Sequence, residues 1–201
     1  MLTVKNIKVY DLRESVIACR YAMLTELPDI NSDKNFTMGL ERAKALASSP
    51  SNSGHCNFLK GIRVSFDLIY PNYISPELQR YNWIDIVTSS SKMHKIMRMD
   101  FGKCCNKYVT EETKAMMRRL VASYNEACVC GTKDDQYEAF MTVISNCPQG
   151  IELFMRISTN YLQLRNIYAQ RKNHRLKEDW GAFCDFIRSL PYAKEFLTNG
   201  E

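Results

Sequence analysis

The stretch IELFMRISTNYLQLRNIYAQR, residues 151–171, contains the two kinds of periodicity that decide the fold. Residues 151–158 predict a β-strand, and Thr159 or Asn160 then supplies a side chain typical of a helix N-cap. The residues from this cap to Arg171 predict an α-helix. Because strands and helices elsewhere in the chain follow no regular βαβ order, the pattern favours the α+β class.

The rest of the chain predicts similar elements on both sides of this stretch. Asp11 is expected to cap a helix to about Leu24, with Glu14 as its capping-box partner. Further strands are predicted at residues 4–10, 62–70 and 83–87, and further helices at residues 36–47, 77–81, 110–124, 134–145 and 176–190. Residues 48–54, which are rich in serine, predict a loop. We therefore expect a single domain over residues 1–201, with a mixed, mostly antiparallel sheet packed with helices.

The composition is that of an ordinary globular protein. The chain has 201 residues, of which 45% are hydrophobic and 24% are charged. Its first residues lack the apolar core of a signal peptide, and no window reaches the roughly 18 apolar residues of a membrane helix. These features predict a cytoplasmic protein without a membrane partner.

Eight cysteines are spread along the chain, and free thiols are the expected state in such a protein. Cys104 and Cys105 are adjacent, and a single residue separates Cys128 from Cys130. Zinc sites usually have spacers of two to four residues between paired ligands. The cysteine spacing therefore predicts no metal site.

Positive charge is concentrated near the C-terminal end. No acidic residue lies between Glu152 and Glu178, whereas six basic residues lie there: Arg156, Arg165, Arg171, Lys172, Arg175 and Lys177. Such a block favours an anionic partner, a phosphate or a nucleic acid. A solvated surface whose acidic neighbours come from other elements is an equally good interpretation.

Two groups of polar side chains are candidates for a binding site. Residues eleven apart on a helix differ by about 20° around its axis and about 16 Å along it, so Asn160 and Arg171 share one stripe. Such a stripe suits a long polar ligand, since the Arg fork matches uracil carbonyls or phosphate. The alternative is a simple N-cap and a surface arginine.

The second group is a predicted polar turn at residues 88–91, which follows Arg80 and precedes Lys92. Hydroxyls, backbone N–H groups and a lysine in a turn suit a phosphate, although an ordinary loop has the same composition. The chain has no Gly-rich phosphate loop and no Gly-x-Ser-x-Gly nucleophile motif. The common signatures of nucleotide hydrolysis and serine esterases are therefore absent from the sequence.

Taken together, these residues resemble the motifs of the flavin-dependent thymidylate synthases. That family has Arg-His-Arg, seven residues, and then Ser-x-Arg-Tyr; this chain has Arg80-Tyr81-Asn82, seven residues, and then Ser90-Ser91-Lys92-Met93. The other matching positions are Gly54, His55, Phe66 and Pro71 upstream, and Pro148, Asn160, Arg171, His174 and Trp180 downstream. The resemblance covers about residues 40 to 180 and depends on order and spacing, because each motif is weak alone.

The resemblance implies roles for individual residues. Arg171 matches the arginine that activates the pyrimidine. The positions that match flavin contacts are His55, Arg80, Tyr81, Asn82, Asn160, Asn166 and His174. The positions that match nucleotide contacts are Glu77, Thr88, Ser90, Ser91, Lys92 and Arg171.

The resemblance also implies a reaction. In the family, reduced FAD supplies a hydride, methylenetetrahydrofolate supplies one carbon, NADPH is the reductant, and dUMP becomes dTMP. No protein nucleophile attacks the pyrimidine, and an arginine makes its C5 carbon more nucleophilic by electrostatic stabilisation. The family is homotetrameric, with each site shared between subunits.

Several positions depart from the family pattern. Tyr81 and Asn82 replace the last two members of Arg-His-Arg, Glu77 replaces a glutamine, and Ile144 replaces an arginine that grips the nucleotide. Lysine is not equivalent to arginine as a phosphate ligand, so Lys92 is also a departure. Three hypotheses follow: an active enzyme on dUMP or a related pyrimidine nucleotide, a catalytically degenerate relative that binds a nucleotide, and a basic protein that binds nucleic acid. The third is the least favoured.

Overall fold

A computed structural model describes residues 1–49, 54–198 and 200 of the chain. The chain is divided into two compact units, each made of several segments. The hairpin unit consists of residue 1 and residues 69–80 and 88–155, and the aromatic-core unit consists of residues 2–68, 81–87 and 156–201. This division does not test the single-domain interpretation, which stays a prediction.

Strands and helices are mixed along the chain, as predicted. The strands are β1 (Thr3–Tyr10), β2 (Arg63–Pro71), β3 (Asp85–Ser89) and β4 (Glu152–Asn160). The helices are α1 (Leu12–Ala18), α2 (Asp33–Ala47), α3 (Ser75–Leu78), α4 (Lys92–Lys95), α5 (Glu111–Cys130), α6 (Lys133–Ser145), α7 (Tyr161–Arg171), α8 (Lys177–Arg188) and α9 (Ala193–Phe196). In the described part of the chain, none of these helices has the length and apolar composition that a membrane crossing requires.

The strands form one four-stranded antiparallel sheet in the order β1–β2–β4–β3. Along β2, Val64, Phe66 and Leu68 are fully buried, while the residues between them are partly exposed. This alternation is that of a strand with one face toward a core. The α+β class and the mostly antiparallel sheet are therefore confirmed.

Helix α8 provides most of the aromatic core. The Phe66 ring of β2 lies 5.9 Å from the Phe183 ring and 4.8 Å from the Phe186 ring, measured between centroids. Trp180, one turn before Phe183, is fully buried, and its centroid lies 5.7 Å from that of Phe183. Since Trp180, Phe183 and Phe186 follow helical spacing, one face of α8 is apolar and packs on β2.

The hairpin unit has a smaller apolar cluster of its own. Helices α5 and α6 pack as a pair, and Thr132 caps α6 in a full capping box with Asp135. The cluster consists of Ile96, Phe101, Met117, Val143 and Ile151, all of which are buried. Ile144, which the sequence resemblance matches to a family arginine, packs against this cluster.

The first predicted helix is shorter than expected. Asp11 has φ 57°, in the left-handed region, and its side chain forms no capping hydrogen bond. An N-cap residue normally has extended backbone angles, so the predicted capping box of Asp11 and Glu14 is wrong. Helix α1 ends at Ala18, and a 3₁₀ turn at Tyr21–Met23 replaces its predicted last turns.

The predicted turn at residues 88–91 is also partly wrong. Strand β3 continues through Thr88 and Ser89, so only Ser90 and Ser91 of the predicted turn lie outside the strand. All five residues of β3 are exposed, and such a strand has no apolar alternation from which its ends could be predicted. The predicted loop at residues 48–54 lies partly outside the described residues.

Alanine substitutions at two helical glycines are expected to change the stability in opposite directions. A Cβ at Gly39 of α2 would lie 2.7 Å from the Val16 carbonyl oxygen, whereas a Cβ at Gly181 of α8 would meet no atom within 4 Å. We expect Gly39→Ala to lower the free energy of unfolding by about 1–3 kcal/mol through overpacking. Gly181→Ala should raise it by about 0.5–1 kcal/mol, because alanine restricts the unfolded chain. Urea unfolding measures both, and a Gly39→Ala protein as stable as the wild type would contradict the close α1–α2 packing.

Candidate functional site

Arg171 is the last residue of α7, and its side chain is held in place within the aromatic-core unit. Its Nε donates a hydrogen bond of 2.7 Å to the Tyr81 hydroxyl oxygen. That hydroxyl donates in turn to Oε1 of Gln170, at 3.1 Å. The phenol therefore fixes both the position and the hydrogen-bonding direction of the guanidinium.

Two aromatic rings flank the Arg171 guanidinium. Its central carbon lies 4.4 Å from the Trp180 ring centroid and 5.5 Å from the Tyr81 ring centroid. Both distances are those of cation–π contacts, and tryptophan is the strongest partner for them. We call Tyr81, Arg171 and Trp180 the arginine clamp.

His174 lies beside the clamp. Its ring meets the Trp180 ring edge to face, with centroids 6.1 Å apart. Its Nδ1 accepts a hydrogen bond of 3.2 Å from the Leu176 backbone N–H. This bond requires a bare Nδ1, so the neutral ring carries its proton on Nε2. The fold thus brings Tyr81 together with two predicted site residues from about 90 positions later in the sequence, Arg171 and His174.

Asn160 is the N-cap of α7, and its Oδ1 accepts a hydrogen bond of 2.9 Å from the Gln163 N–H. The Oδ1 atom of Asn160 therefore acts as a helix N-cap, which was the simpler of the two interpretations of this residue. Leu164 and Ile167 are fully buried, so the stripe between Asn160 and Arg171 packs into the protein and is not an open face for a ligand. Asn166, by contrast, is partly exposed.

His55 is one of the residues that line a second feature, a cavity of about 550 Å³ that we call the His55 cavity. Its lining combines apolar and polar side chains, among them Cys19, Arg42, Asn57 and Phe58. Cavities of this size, mainly apolar with a few polar groups, are typical of small-molecule sites. A flat ring with anionic substituents would find an aromatic side chain, a guanidinium and an imidazole there.

The electrostatics of this region are positive. Burial raises the pKa of the Cys19 thiol, and the nearby Arg42 and Arg20 lower it in part. Nη1 of Arg20 is buried and has no hydrogen-bond partner in the structure. A buried donor without a partner costs about 1–3 kcal/mol, and Arg20 does not line the His55 cavity.

Apart from Arg171, the predicted nucleotide contacts lie in the hairpin unit. Ser90 is paired with β4: its N–H donates to the Phe154 carbonyl at 2.8 Å, and its Oγ accepts from the Phe154 N–H at 3.0 Å. Lys92 begins α4, directly after Ser91, and both are partly exposed. The Ser90 hydroxyl therefore extends the sheet and keeps only its own proton as a donor for a phosphate.

The other predicted contacts differ in exposure. Arg80, Asn82 and Thr88 are exposed, and Glu77 is partly exposed on the short helix α3. Arg80 belongs to the hairpin unit, whereas Asn82 belongs to the aromatic-core unit. The two sets of predicted residues, for flavin and for nucleotide, thus fall mainly in different units.

The basic block of the sequence does not form one exposed face. Arg165 is only 4% exposed, and its Nη1 donates to the buried Cys56 Sγ at 3.2 Å. Arg156 forms an ion pair of 3.1 Å with Asp67 and also donates to the Asn6 carbonyl. Two of the six basic side chains are therefore used inside the fold, which weakens the nucleic-acid hypothesis.

Sequence reasoning missed several residues of both sites. Nothing in the local pattern singled out Cys19 or Arg42, because neither belongs to a recognisable motif. Trp180 was matched only as a position, without a role. All eight cysteines are free thiols, and no three His, Cys, Asp or Glu side chains of the described residues lie close enough together to hold a metal ion.

Comparison with known proteins supports the fold. No family profile matches the chain, and no curated protein matches it in sequence. Two crystal structures of flavin-dependent thymidylate synthase ThyX from Helicobacter pylori, both with FAD and dUMP, are similar to it in structure. One aligns over 98% of both chains with a TM-score of 0.64, and the other over 100% of this chain and 99% of its own with a TM-score of 0.67; each is 14% identical. The chain therefore has the fold of the flavin-dependent thymidylate synthases over its whole length.

Proposed function

We propose that the protein is a flavin-dependent thymidylate synthase-like transferase, which methylates C5 of a pyrimidine nucleotide such as dUMP. Its cofactor would be FAD, and methylenetetrahydrofolate and NADPH would be its co-substrates. The proposal places the enzyme in the cytoplasm as a homotetramer. The arginine clamp is the observation that carries it, since it holds in place the guanidinium of Arg171, the residue that the sequence resemblance matches to the family's activating arginine.

The chain would contribute to the reaction by electrostatic stabilisation of the pyrimidine. When C5 of the pyrimidine becomes nucleophilic, negative charge develops on the ring and its carbonyl oxygens. Arg171 would donate hydrogen bonds to this charge, and its planar fork suits a carbonyl and an adjacent ring nitrogen. Tyr81 and Trp180 hold the fork before the substrate arrives, so little reorganisation is needed during the reaction.

The residues around the His55 cavity fit the flavin that the fold implies. The cavity offers Phe58 for stacking, His55 and Asn57 for hydrogen bonds, and Arg42 for an anionic group. When bound and reduced, FAD supplies the hydride that turns the transferred carbon into a methyl group.

An exposed apolar edge supports assembly into an oligomer. Trp83 is 60% exposed and Val87 of β3 is 64% exposed, although both are large apolar residues. Strand β3 is also an edge of the sheet, and edge strands with apolar side chains are usually covered by a partner. A second subunit on this edge would agree with the homotetramer that we propose.

A degenerate relative that binds a nucleotide without turnover is the second candidate. Ile144 packs against an apolar cluster where the family has a phosphate-gripping arginine. The Ser90 hydroxyl is engaged with β4, and Glu77 adds negative charge to the predicted nucleotide side. These residues weaken phosphate binding but leave the arginine clamp untouched.

Flavin binding is the first test of the proposal. The purified protein mixed with FAD should elute from gel filtration together with the visible absorbance of a bound flavin. We expect His55→Ala/Arg42→Ser to bind FAD at least roughly tenfold more weakly, because a hydrogen bond to a charged group contributes about 1.5–3 kcal/mol.

The matched control is His94→Ala/Arg98→Ser, which removes the same two residue types from the hairpin unit, outside the His55 cavity. It should bind FAD within about twofold of the wild type, since surface substitutions have small effects. Clean separation of free FAD from the wild-type protein at high protein concentration would refute the proposed cofactor. Equal losses in both double variants would refute the His55 cavity as its site.

A further inference from the structure

Two adjacent thiols, those of Cys104 and Cys105, lie at a bend in the hairpin unit. The N–H groups of Lys103 and Cys104 both donate to the Asp100 carbonyl oxygen at 2.9 Å, which closes a tight turn. Cys105 then forms an antiparallel bridge with Ile151. Neighbouring side chains of a regular strand point to opposite faces, but the chain bends at Cys104 before the bridge begins, so the two thiols are not held apart. We call this pair the dithiol.

The two thiols of the dithiol interact directly. Burial and the Cys105 thiol, which is its hydrogen-bond partner, together raise the pKa of the Cys104 thiol to about 12. Burial also raises the pKa of the Cys105 thiol, while the hydrogen bond with Cys104 and the nearby Lys114 ammonium lower it in part. Both thiols are therefore neutral at physiological pH and lie within hydrogen-bonding distance of each other.

The backbone on both sides of the dithiol is fixed. The Cys104 carbonyl oxygen accepts a hydrogen bond of 2.6 Å from the Glu152 N–H, and the Asn106 N–H donates to the Gly150 carbonyl oxygen at 2.9 Å. Cys104 and Cys105 pack against the apolar cluster of the hairpin unit, yet both remain partly exposed to solvent. The dithiol is thus both preorganised and accessible, as a reagent that bonds two sulfur atoms at once requires.

The neutral state of the dithiol selects the reagents that it can bind. Alkylating agents and disulfides react with thiolates, so thiols with a raised pKa react slowly with them. A trivalent organoarsenical that carries an oxygen ligand reacts with two neutral thiols instead. Two S–H bonds break, two As–S bonds form, and the two protons leave with the arsenic oxygen as water. Arsenic stays trivalent throughout, so the reaction needs no oxidant.

We propose that Cys104 and Cys105 form a binding site for trivalent arsenicals, which bridge the two sulfur atoms. Two sulfur ligands are sufficient because carbon occupies the third position of an organoarsenical; the described residues offer no group of three ligands for a metal ion. Cys147 packs against the same cluster but is not part of the site, because its Sγ donates to the Pro148 carbonyl oxygen at 3.9 Å. The inference goes beyond the proposed function and uses no residue of the arginine clamp or of the His55 cavity.

Phenylarsine oxide is the probe, added to the whole chain together with an excess of mercaptoethanol. This monothiol displaces arsenic that is held by one sulfur, whereas arsenic held by two sulfurs of one chain resists it roughly 10²-fold better, since the second bond is intramolecular. Mass spectrometry of the intact protein should show one phenylarsenic group per chain, which the dithiol reagent dimercaptopropanol then removes. Cys104→Ser and Cys105→Ser should each lower the retained fraction at least roughly tenfold.

Cys128→Ser/Cys130→Ser is the matched control, because it removes two thiols that are also close in sequence, from the exposed end of α5. Side chains two residues apart on a helix do not face each other, so these thiols cannot bridge one arsenic atom. The control should keep the adduct within about twofold of the wild type. Cys104→Ala and a melting temperature for each variant separate the loss of a sulfur ligand from a loss of fold.

The inference is overturned if the wild type releases phenylarsenic to mercaptoethanol as readily as Cys104→Ser, or if the control double variant loses the adduct. It is also overturned if Cys147→Ser loses the adduct while Cys104→Ser keeps it, since the bridge would then join Cys105 and Cys147. FAD binding and turnover are measured separately, and their failure would leave the result of this titration unchanged.

Discussion

Arg171→Ala is expected to slow tritium release from C5-labelled dUMP by roughly 10²- to 10³-fold, while the protein stays folded. The reason is that Arg171 supplies the preorganised positive charge for the pyrimidine, and a single such donor is typically worth about 3–4 kcal/mol in the transition state. The assay contains FAD, a reductant and methylenetetrahydrofolate, with labelled dCMP as a second nucleotide. Arg171→Lys should not restore the rate, because an ammonium can reproduce neither the planar fork nor its bond to the Tyr81 hydroxyl.

Arg175→Ala is the matched control for this prediction. Arg175 is an exposed arginine four residues beyond Arg171 in the same basic stretch, and it is not part of the arginine clamp. Its replacement should change the rate by no more than about twofold. Wild-type turnover in Arg171→Ala would show that the active site is not at the arginine clamp. A wild type that binds a nucleotide but releases no tritium from dUMP or dCMP would establish the degenerate relative.

The strand and helix of residues 151–171 were predictable because their signals are local. β4 alternates between buried and partly exposed residues, and α7 ends at Arg171 as predicted. Asn160 caps the helix through its own side chain, which a sequence reader can infer from residue type and position. Where burial and capping agree with residue type, the sequence alone was sufficient to predict the element and its ends.

The errors occurred where residue type gives no such signal. Asp11 is a common capping residue, yet its left-handed backbone at φ 57° depends on how the chain leaves β1. Strand β3 is exposed along its whole length, so no apolar face marked its shift from residues 83–87 to Asp85–Ser89. These positions are determined by neighbours distant in sequence, which local propensity does not record.

The candidate site was predictable as a set of positions but not as an arrangement. Spacing identified Tyr81 and Arg171, but it treated Tyr81 as a substitution that weakens the family motif. In the structure the Tyr81 hydroxyl is the hydrogen-bond partner of Arg171, across 90 residues of sequence. The residue that departs from the motif is thus part of the clamp, because the phenol oxygen accepts from Nε and the ring centroid lies 5.5 Å from the guanidinium carbon.

Trp180→Ala is expected to lower the free energy of unfolding by about 3–5 kcal/mol, the usual cost of truncating a fully buried aromatic residue. Trp180 is 0% exposed, and its ring contacts the Phe183 ring, the His174 ring and the Arg171 guanidinium. Alanine would leave a cavity between the α8 core and the clamp, which the rigid surroundings cannot fill. Urea unfolding monitored by circular dichroism measures the loss.

Tyr137→Ala is the control for this substitution, because Tyr137 is an aromatic residue of α6 that is 65% exposed. It should change the free energy of unfolding by no more than about 0.5 kcal/mol. Trp180→Phe then separates packing from catalysis: the smaller ring keeps much of the core contact, but it is a weaker cation–π partner for Arg171. If Trp180 supports the clamp as well as the core, Trp180→Phe loses proportionally more turnover than stability. A loss below about 1 kcal/mol in Trp180→Ala would instead contradict the close packing of α8 on which both roles of Trp180 depend.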